Sequence, residues 1–186
     1  MKVLLVDNHS KHKDEILSLF SDDVIVETQE QLGPLDDLLY DLIIFSGGSD
    51  TPSVLYNPES YEKEFELIER TSTPILGICL GNEIITKSFG GTLQDFGKVN
   101  RGEVSIEIID NNLKEIIKEN PFAVYEAHEV GIKNMPNDFV ICGKSKHGPE
   151  IIKHSTKPII GIQFHPEVEA NKLLWQWIFE NLTVKK

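Results

Sequence analysis

Residues 74–85 read PILGICLGNEII, and the reading of this stretch decides the fold. PILGIC is an unbroken apolar run of strand length. LGNEIITKSFGG, which follows at once, has helical spacing and ends on Gly90-Gly91. A strand apolar along its whole length that passes directly into a helix is the repeating unit of a parallel sheet covered on both faces. Cys79 stands at the junction, flanked by Gly77 and Gly81.

Working outward, the same alternation recurs. VLLVD (3–7) predicts a strand, and 10–20 a helix with Ile16, Leu17 and Phe20 on one face. VIVET (24–28) and LIIFSGG (42–48) predict two more strands. PESYEKEFELIER (58–70) opens with a proline and early acids, as helix starts prefer. The second half changes character: VSIEII (104–109), FAVYEAHEV (122–130), FVICGKS (139–145) and EIIKHS (150–155) are closer together and partly alternating, which predicts antiparallel additions. IIGIQF (159–164) returns to a buried strand, and VEANKLLWQWIFENL predicts a closing amphipathic helix. Trp175 and Trp177 lie two positions apart, so one straight helix cannot turn both to the core, and one of them is expected to be exposed or half-buried. Without repeats, linkers or low-complexity segments, residues 1–186 read as a single α/β domain with a mixed, largely parallel sheet and helices on both faces.

The chain has 186 residues, 40% of them hydrophobic and 26% charged, with a formal net charge of −12. That composition supports one packed core. The charge argues against nucleic acid and anionic membrane as partners, since both reward positive charge. No run reaches the length of a membrane span, and the apolar core of MKVLLVDN is too short for a signal peptide. Two cysteines cannot build a disulfide framework, so a reducing cytoplasm is the expected compartment.

In open α/β sheets, ligands bind beyond the carboxyl ends of the parallel strands. Three segments place chemistry there. Gly77-Ile78-Cys79-Leu80-Gly81 has the pattern of a nucleophile elbow, with a thiol at a helix N-terminus that lowers its pKa. Phe164-His165-Pro166-Glu167 offers a base with a carboxylate two residues on to orient it. Ser46-Gly47-Gly48 offers backbone N–H groups to an oxyanion, together with that of Leu80. Each has an ordinary alternative when read alone: a buried thiol acting as a small hydrophobe, a surface loop, a strand-ending turn. Their arrival at one sheet edge is what raises them above those alternatives. Cys142, inside FVIC, reads as core. His9, His12, His147 and His154 lack metal-ligand spacing among themselves and read as surface or structural, so no metal site is expected.

On these residues the chain resembles the class I, triad-type glutamine amidotransferases along its whole length. VDN near the start, the Gly47-Gly48 turn, GICLG, Gly97-Lys98 and Arg101-Gly102, and IIKHSTKPIIGIQFHPE fall in the family's order. The stand-alone length and the final motif are most similar to the glutaminase subunit of two-subunit GMP synthetases. The resemblance implies a flavodoxin-like fold and the hydrolysis of L-glutamine. In that scheme Cys79 forms a γ-glutamyl thioester, His165 moves the protons and Glu167 holds His165. Gly48 and Leu80 supply the oxyanion hole, and Gly47 and Glu83 line the glutamine pocket. It implies no cofactor for this half-reaction. Ammonia would pass to a separate ATP-pyrophosphatase subunit, most similar to GMP synthetase, which carries ATP and magnesium. His128 is expected at that partner interface.

Three departures from the family pattern stand out. Asn82-Glu83 replaces His or Met followed by Gln, putting a carboxylate on the same helix face as the thiol. Ser49-Asp50 replaces the continuation of the glycine turn with Pro. Glu129-Val130-Gly131 rewrites the acidic stretch after His128. Two rivals follow: a γ-glutamyl hydrolase or amidase whose substrate is altered by Glu83, and a catalytically silent binding or regulatory subunit. The retention of Cys79, His165 and Glu167 together counts against the silent one.

Overall fold

Strand β1 (Val3–Asp7) shows why a sheet forms here. Successive side chains on a strand point to opposite faces. Val3 and Leu5 pack with Leu42, Ile44, Leu76 and Ile160 on one side, while Leu4 and Val6 pack with Ile43, Phe45 and Ile75 on the other. Both faces are therefore dry, which is what an unbroken apolar run requires.

The computed structural model describes residues 1–21, 23–33, 39–49, 51–169 and 171–182. In chain order the elements after β1 are α1 (Lys13–Leu17), β2 (Val24–Thr28), β3 (Leu42–Phe45), a 3-10 turn (Pro58–Tyr61), α2 (Glu62–Arg70), β4 (Ile75–Ile78) and α3 (Leu80–Ser88). The second half continues with β5 (Thr92–Ile108), α4 (Asn111–Ile116), β6 (Phe122–Asn134), β7 (Phe139–Ser145), β8 (Gly148–His154), β9 (Ile159–Ile162), α5 (Pro166–Glu169) and α6 (Lys172–Leu182). The strands form one sheet in the order β2-β1-β3-β4-β9-β8-β7-β5-β6. From β2 to β9 the pairing is parallel; from β9 to β6 it is antiparallel. The expected α/β architecture with a mixed sheet is thus the one observed.

The differences have local causes. The helix expected over 10–20 is confined to Lys13–Leu17. Its start is delayed by a turn in which Asp7 accepts from the Ser10 N–H and Ser10 from the His12 N–H. After Leu17 the backbone tightens, Leu19 bonding back to Ile16 and Phe20 to Leu17. The first half of β5 lacks an apolar alternation and carries a positive-φ glycine at 97, with another just past its middle at 102. It is held as a strand by pairing along β6, with an irregularity between Asp95 and Asn100. Helix α4 has a clear start, the Asp110 side chain accepting from the Leu113 N–H at 2.8 Å.

The expectation for the tryptophans is overturned. Trp177 is fully buried and Trp175 is 5% exposed. The Trp177 indole donates to Asp110 at the head of α4. The Trp175 indole donates to the Pro166 carbonyl and stacks on Phe179. Helix α6 thus meets the head of α4 through Trp177 and the start of α5 through Trp175, and both indoles are covered.

Candidate functional site

The site begins with backbone. Cys79 directly follows β4 and precedes α3, with φ 51° and ψ −101°, a left-handed conformation that L-residues avoid. Its N–H is fixed by the Ile162 carbonyl of β9 at 2.7 Å, and its carbonyl accepts from the N–H groups of Asn82 and Glu83. The elbow closes because Gly81 rides directly on Phe45; a Cβ there would strike the Phe45 carbonyl. A Cβ on Gly77 would meet the Gly81 carbonyl at 2.5 Å. The glycines around Cys79 are thus required by close backbone approach.

His165 follows β9, its N–H donating to the Tyr125 carbonyl at 3.0 Å. Pro166 starts the short α5, which turns Glu167 back so that its Oε1 sits 2.8 Å from His165 Nδ1. Both residues are buried. With Nδ1 held by the carboxylate, Nε2 is the nitrogen left for chemistry. Gly47 lies behind the two reactive side chains: a Cβ added there would be 3.0 Å from His165 Cε1 and 3.4 Å from Cys79 Cβ. Gly48 is equally confined, against Leu80 and Thr51.

These residues open onto a cavity of about 430 Å³ whose lining includes Cys79, Gly48, Leu80, Glu83, His128 and His165. Gly47 is behind the wall rather than on it. Lys11 and Arg101 also face this cavity; Arg101 belongs to the Arg101-Gly102 motif, whereas nothing in the sequence around Lys11 marks it as lining. Ser49, one of the departures, accepts the Lys11 N–H at 3.0 Å and so ties the loop after β1 to the glycine turn. Asp50, the other half of that departure, lies outside the described residues. Asn82 turns inward and donates to Gln163 Oε1 at 2.7 Å.

The electrostatics correct one expectation. Burial pushes the Cys79 thiol well above its ordinary value, and the nearby Glu83 and Glu167 push it further when ionised. The Leu80 N–H pulls the other way. A helix N-terminus by itself predicts a thiolate, but desolvation outweighs it here, so the thiol rests protonated. Burial also raises Glu83 to about 8, against the pull of the Ser53 hydroxyl, His128 and the Val54 N–H. Ser53 Oγ lies 2.5 Å from Glu83 Oε2, a contact between positions that no sequence pattern connects. Near neutrality Glu83 is therefore largely a neutral acid, able to donate as well as accept, as an amide does.

His128 sits in the interior, 4% exposed. Its Nδ1 is 2.9 Å from the Val130 carbonyl and its Nε2 3.2 Å from Glu126 Oε2. Its imidazole is therefore engaged inside the fold, at a position that also lines the cavity. Burial drives the imidazole down, but Glu126 and Glu150 outweigh it and raise its pKa overall.

Comparison with known proteins supports the same placement. The family model for class-I glutamine amidotransferases matches residues 4–183. One subunit of the glutamine-hydrolyzing GMP synthase of Pyrococcus furiosus is 45% identical over 129 residues, a match covering 68% of this chain and 65% of that protein. The chain thus spans just under two thirds of that relative's length. The corresponding GMP synthase subunit of Methanothermobacter thermautotrophicus is 31% identical over 177 residues, covering 91% of this chain and 90% of its own. Among solved structures, a candidate GMP synthase subunit from Thermoplasma acidophilum superposes with a TM-score of 0.79 at 25% identity, covering 98% of this chain and 92% of that one. The chain belongs to the class-I glutamine amidotransferase family.

Proposed function

We propose that this chain is a glutaminase subunit that hydrolyses L-glutamine to glutamate and ammonia and hands the ammonia to a separate ATP-dependent synthetase. The observation that carries the reading is the His165–Glu167 pair at 2.8 Å, set against the strained elbow of Cys79. Its chemistry follows from the resting protonation. The thiol proton moves to His165 as sulfur attacks the carboxamide carbon, and the developing imidazolium is stabilised by Glu167. The oxyanion is met by the N–H groups of Gly48 and Leu80. Collapse breaks the C–N bond, and His165 returns the proton to the leaving ammonia. Water then adds to the thioester, with His165 as base, and glutamate leaves. Gly47 leaves the space that lets the imidazole approach the thiol.

Glutamine carries an α-carboxylate and an α-ammonium, and the cavity offers Lys11 and Arg101 to the first and Glu129 to the second. The half-reaction needs no cofactor by this scheme; ATP and magnesium belong to the partner. The names of the relatives favour a GMP synthetase as that partner, aminating XMP to GMP, in the cytoplasm.

A second reading rests on Glu83, the carboxyl that faces the cavity where the family carries an amide. An ionised Glu83 would favour a γ-glutamyl substrate bearing an amine, making the chain a γ-glutamyl hydrolase or amidase.

Intact-mass labelling with an electrophilic glutamine analogue distinguishes these. The expected result is one adduct, absent in Cys79→Ala and blocked by free glutamine. Labelling by a general thiol reagent but not by the analogue would overturn the glutamine assignment. Glutamine-dependent amination of XMP on mixing with a GMP synthetase subunit tests the acceptor.

A further inference from the structure

Beside the cavity, a second group of titratable side chains plays no part in the reaction above; of its members His128 lines the cavity. Glu126 and His128 come from β6, Glu150 from β8, and His147 from the turn between β7 and β8. One donor atom from each of Glu126, His147 and Glu150 lies within 4.8 Å of the other two. His147 Nδ1 is 3.1 Å from the Glu126 carboxylate. The spacing of His147 from the other histidines fits no metal pattern. The hairpin brings it instead to two glutamates that lie far behind it and just ahead of it in the chain.

One observation points to a missing partner in the group. Glu150 is 1% exposed; its Oε1 accepts from Ser145 Oγ at 2.7 Å, but its Oε2 is buried without a hydrogen-bond partner. A buried carboxylate oxygen left bare is costly.

From this geometry we infer that Glu126, His147 and Glu150 form a binding site for a divalent transition-metal ion, with Zn²⁺ as the natural test ion. An imidazole with two carboxylates suits such an ion, and donor–metal bonds of about 2.0–2.2 Å would draw the three side chains inward. His128, fixed by Val130, orients Glu126 from outside the ligand set. Glu126 and His128 are largely covered, whereas the His147 side chain is 17% exposed, so the ion enters from the turn. Binding would clamp β6 to the β7–β8 turn, and because His128 and Val130 also face the cavity, it would stiffen that wall.

The test uses untagged, full-length chain carrying Cys79→Ala, so that the thiol cannot take the metal. After chelation and dialysis, Zn²⁺ binding is measured by titration and elemental analysis, with thermal unfolding in parallel. One equivalent should bind and raise the unfolding temperature. Glu150→Gln keeps the Ser145 contact, and His147→Ala alters an accessible turn, so both variants should fold; each should weaken Zn²⁺ at least about tenfold. Absence of stoichiometric binding to the folded chain overturns the site. So does undiminished binding in both variants.

Discussion

Asn82 Nδ2 donates to Gln163 Oε1 at 2.7 Å, so the third residue of α3 grips the residue two positions before His165. Both partners are 1% exposed. The bond ties the elbow to the strand that delivers the base. Asn82→Ala leaves Gln163 with an unmet buried acceptor, which costs about 1–3 kcal/mol. Misalignment of thiol and imidazole should slow labelling of Cys79 by the glutamine analogue about tenfold or more. The half-saturating analogue concentration should change little. Unchanged labelling would remove Asn82 from the positioning of the site.

Glu83, with its pKa near 8, predicts a specific alkaline response. Below that value the neutral acid imitates an amide; above it a second negative charge confronts the buried thiol. Glu83→Gln removes the titration. The ratio of labelling rates, Glu83→Gln over wild type, should rise about threefold to tenfold between pH 7 and 9. A ratio independent of pH would mean that Glu83 does not ionise beside the thiol in this range.

Glu64 bears on stability rather than catalysis. It is fully buried on α2, with both oxygens unpartnered, and burial lifts its pKa to about 8, although the Asn8 side chain pulls it down. The unfolded chain releases this proton near the ordinary 4.5, whereas the folded chain holds it to about 8. Stability therefore falls as pH rises through that window and levels off above it. Glu64→Gln should abolish this part of the slope. Its advantage over wild type should be small at pH 4.5 and grow to on the order of 2–4 kcal/mol at pH 8, as read by denaturant unfolding. A constant difference across the window would refute it.

Gly81→Ala and Gly90→Ala separate close packing from backbone strain. A methyl at Gly81 runs into the Phe45 backbone, which cannot rotate away. The expected cost is about 3 kcal/mol or more, with loss of Cys79 labelling. Gly90 has φ +79° and open space around it, so the same change there should cost about 1–2 kcal/mol and leave labelling intact. Equal losses would show that the Gly81 contact is readily relieved.

The parallel half of the sheet is legible in sequence because its inner strands are closed apolar phrases, such as LIIF or IIGI. The elbow is legible because glycines flank a thiol where one phrase ends. The early part of β5 is not, since its strand character comes from pairing with β6 and not from its own pattern. Glu64 misleads for a related reason: an acid near a helix start reads as a dipole partner, whereas this one points into the core. Contacts such as Ser53 with Glu83, or Glu126 with His147, join positions with no sequence relationship. They exist only through the register of strands and the path of loops. The resting state of the thiol escapes a sequence reading because a helix N-terminus is visible there, and the depth of burial is not.

The pairing of β9 with β4 also governs when the site can come into being. Ile162, whose carbonyl fixes the Cys79 N–H, is made long after the thiol, and His165 and Glu167 later still. During synthesis the first four strands can associate while β9 is unmade, leaving Cys79 without its base and its flank without a neighbour. Closing so long a stretch of chain is slow relative to local pairing. A product truncated or stalled before β9 would carry the thiol but neither its base nor the carboxylate that holds that base.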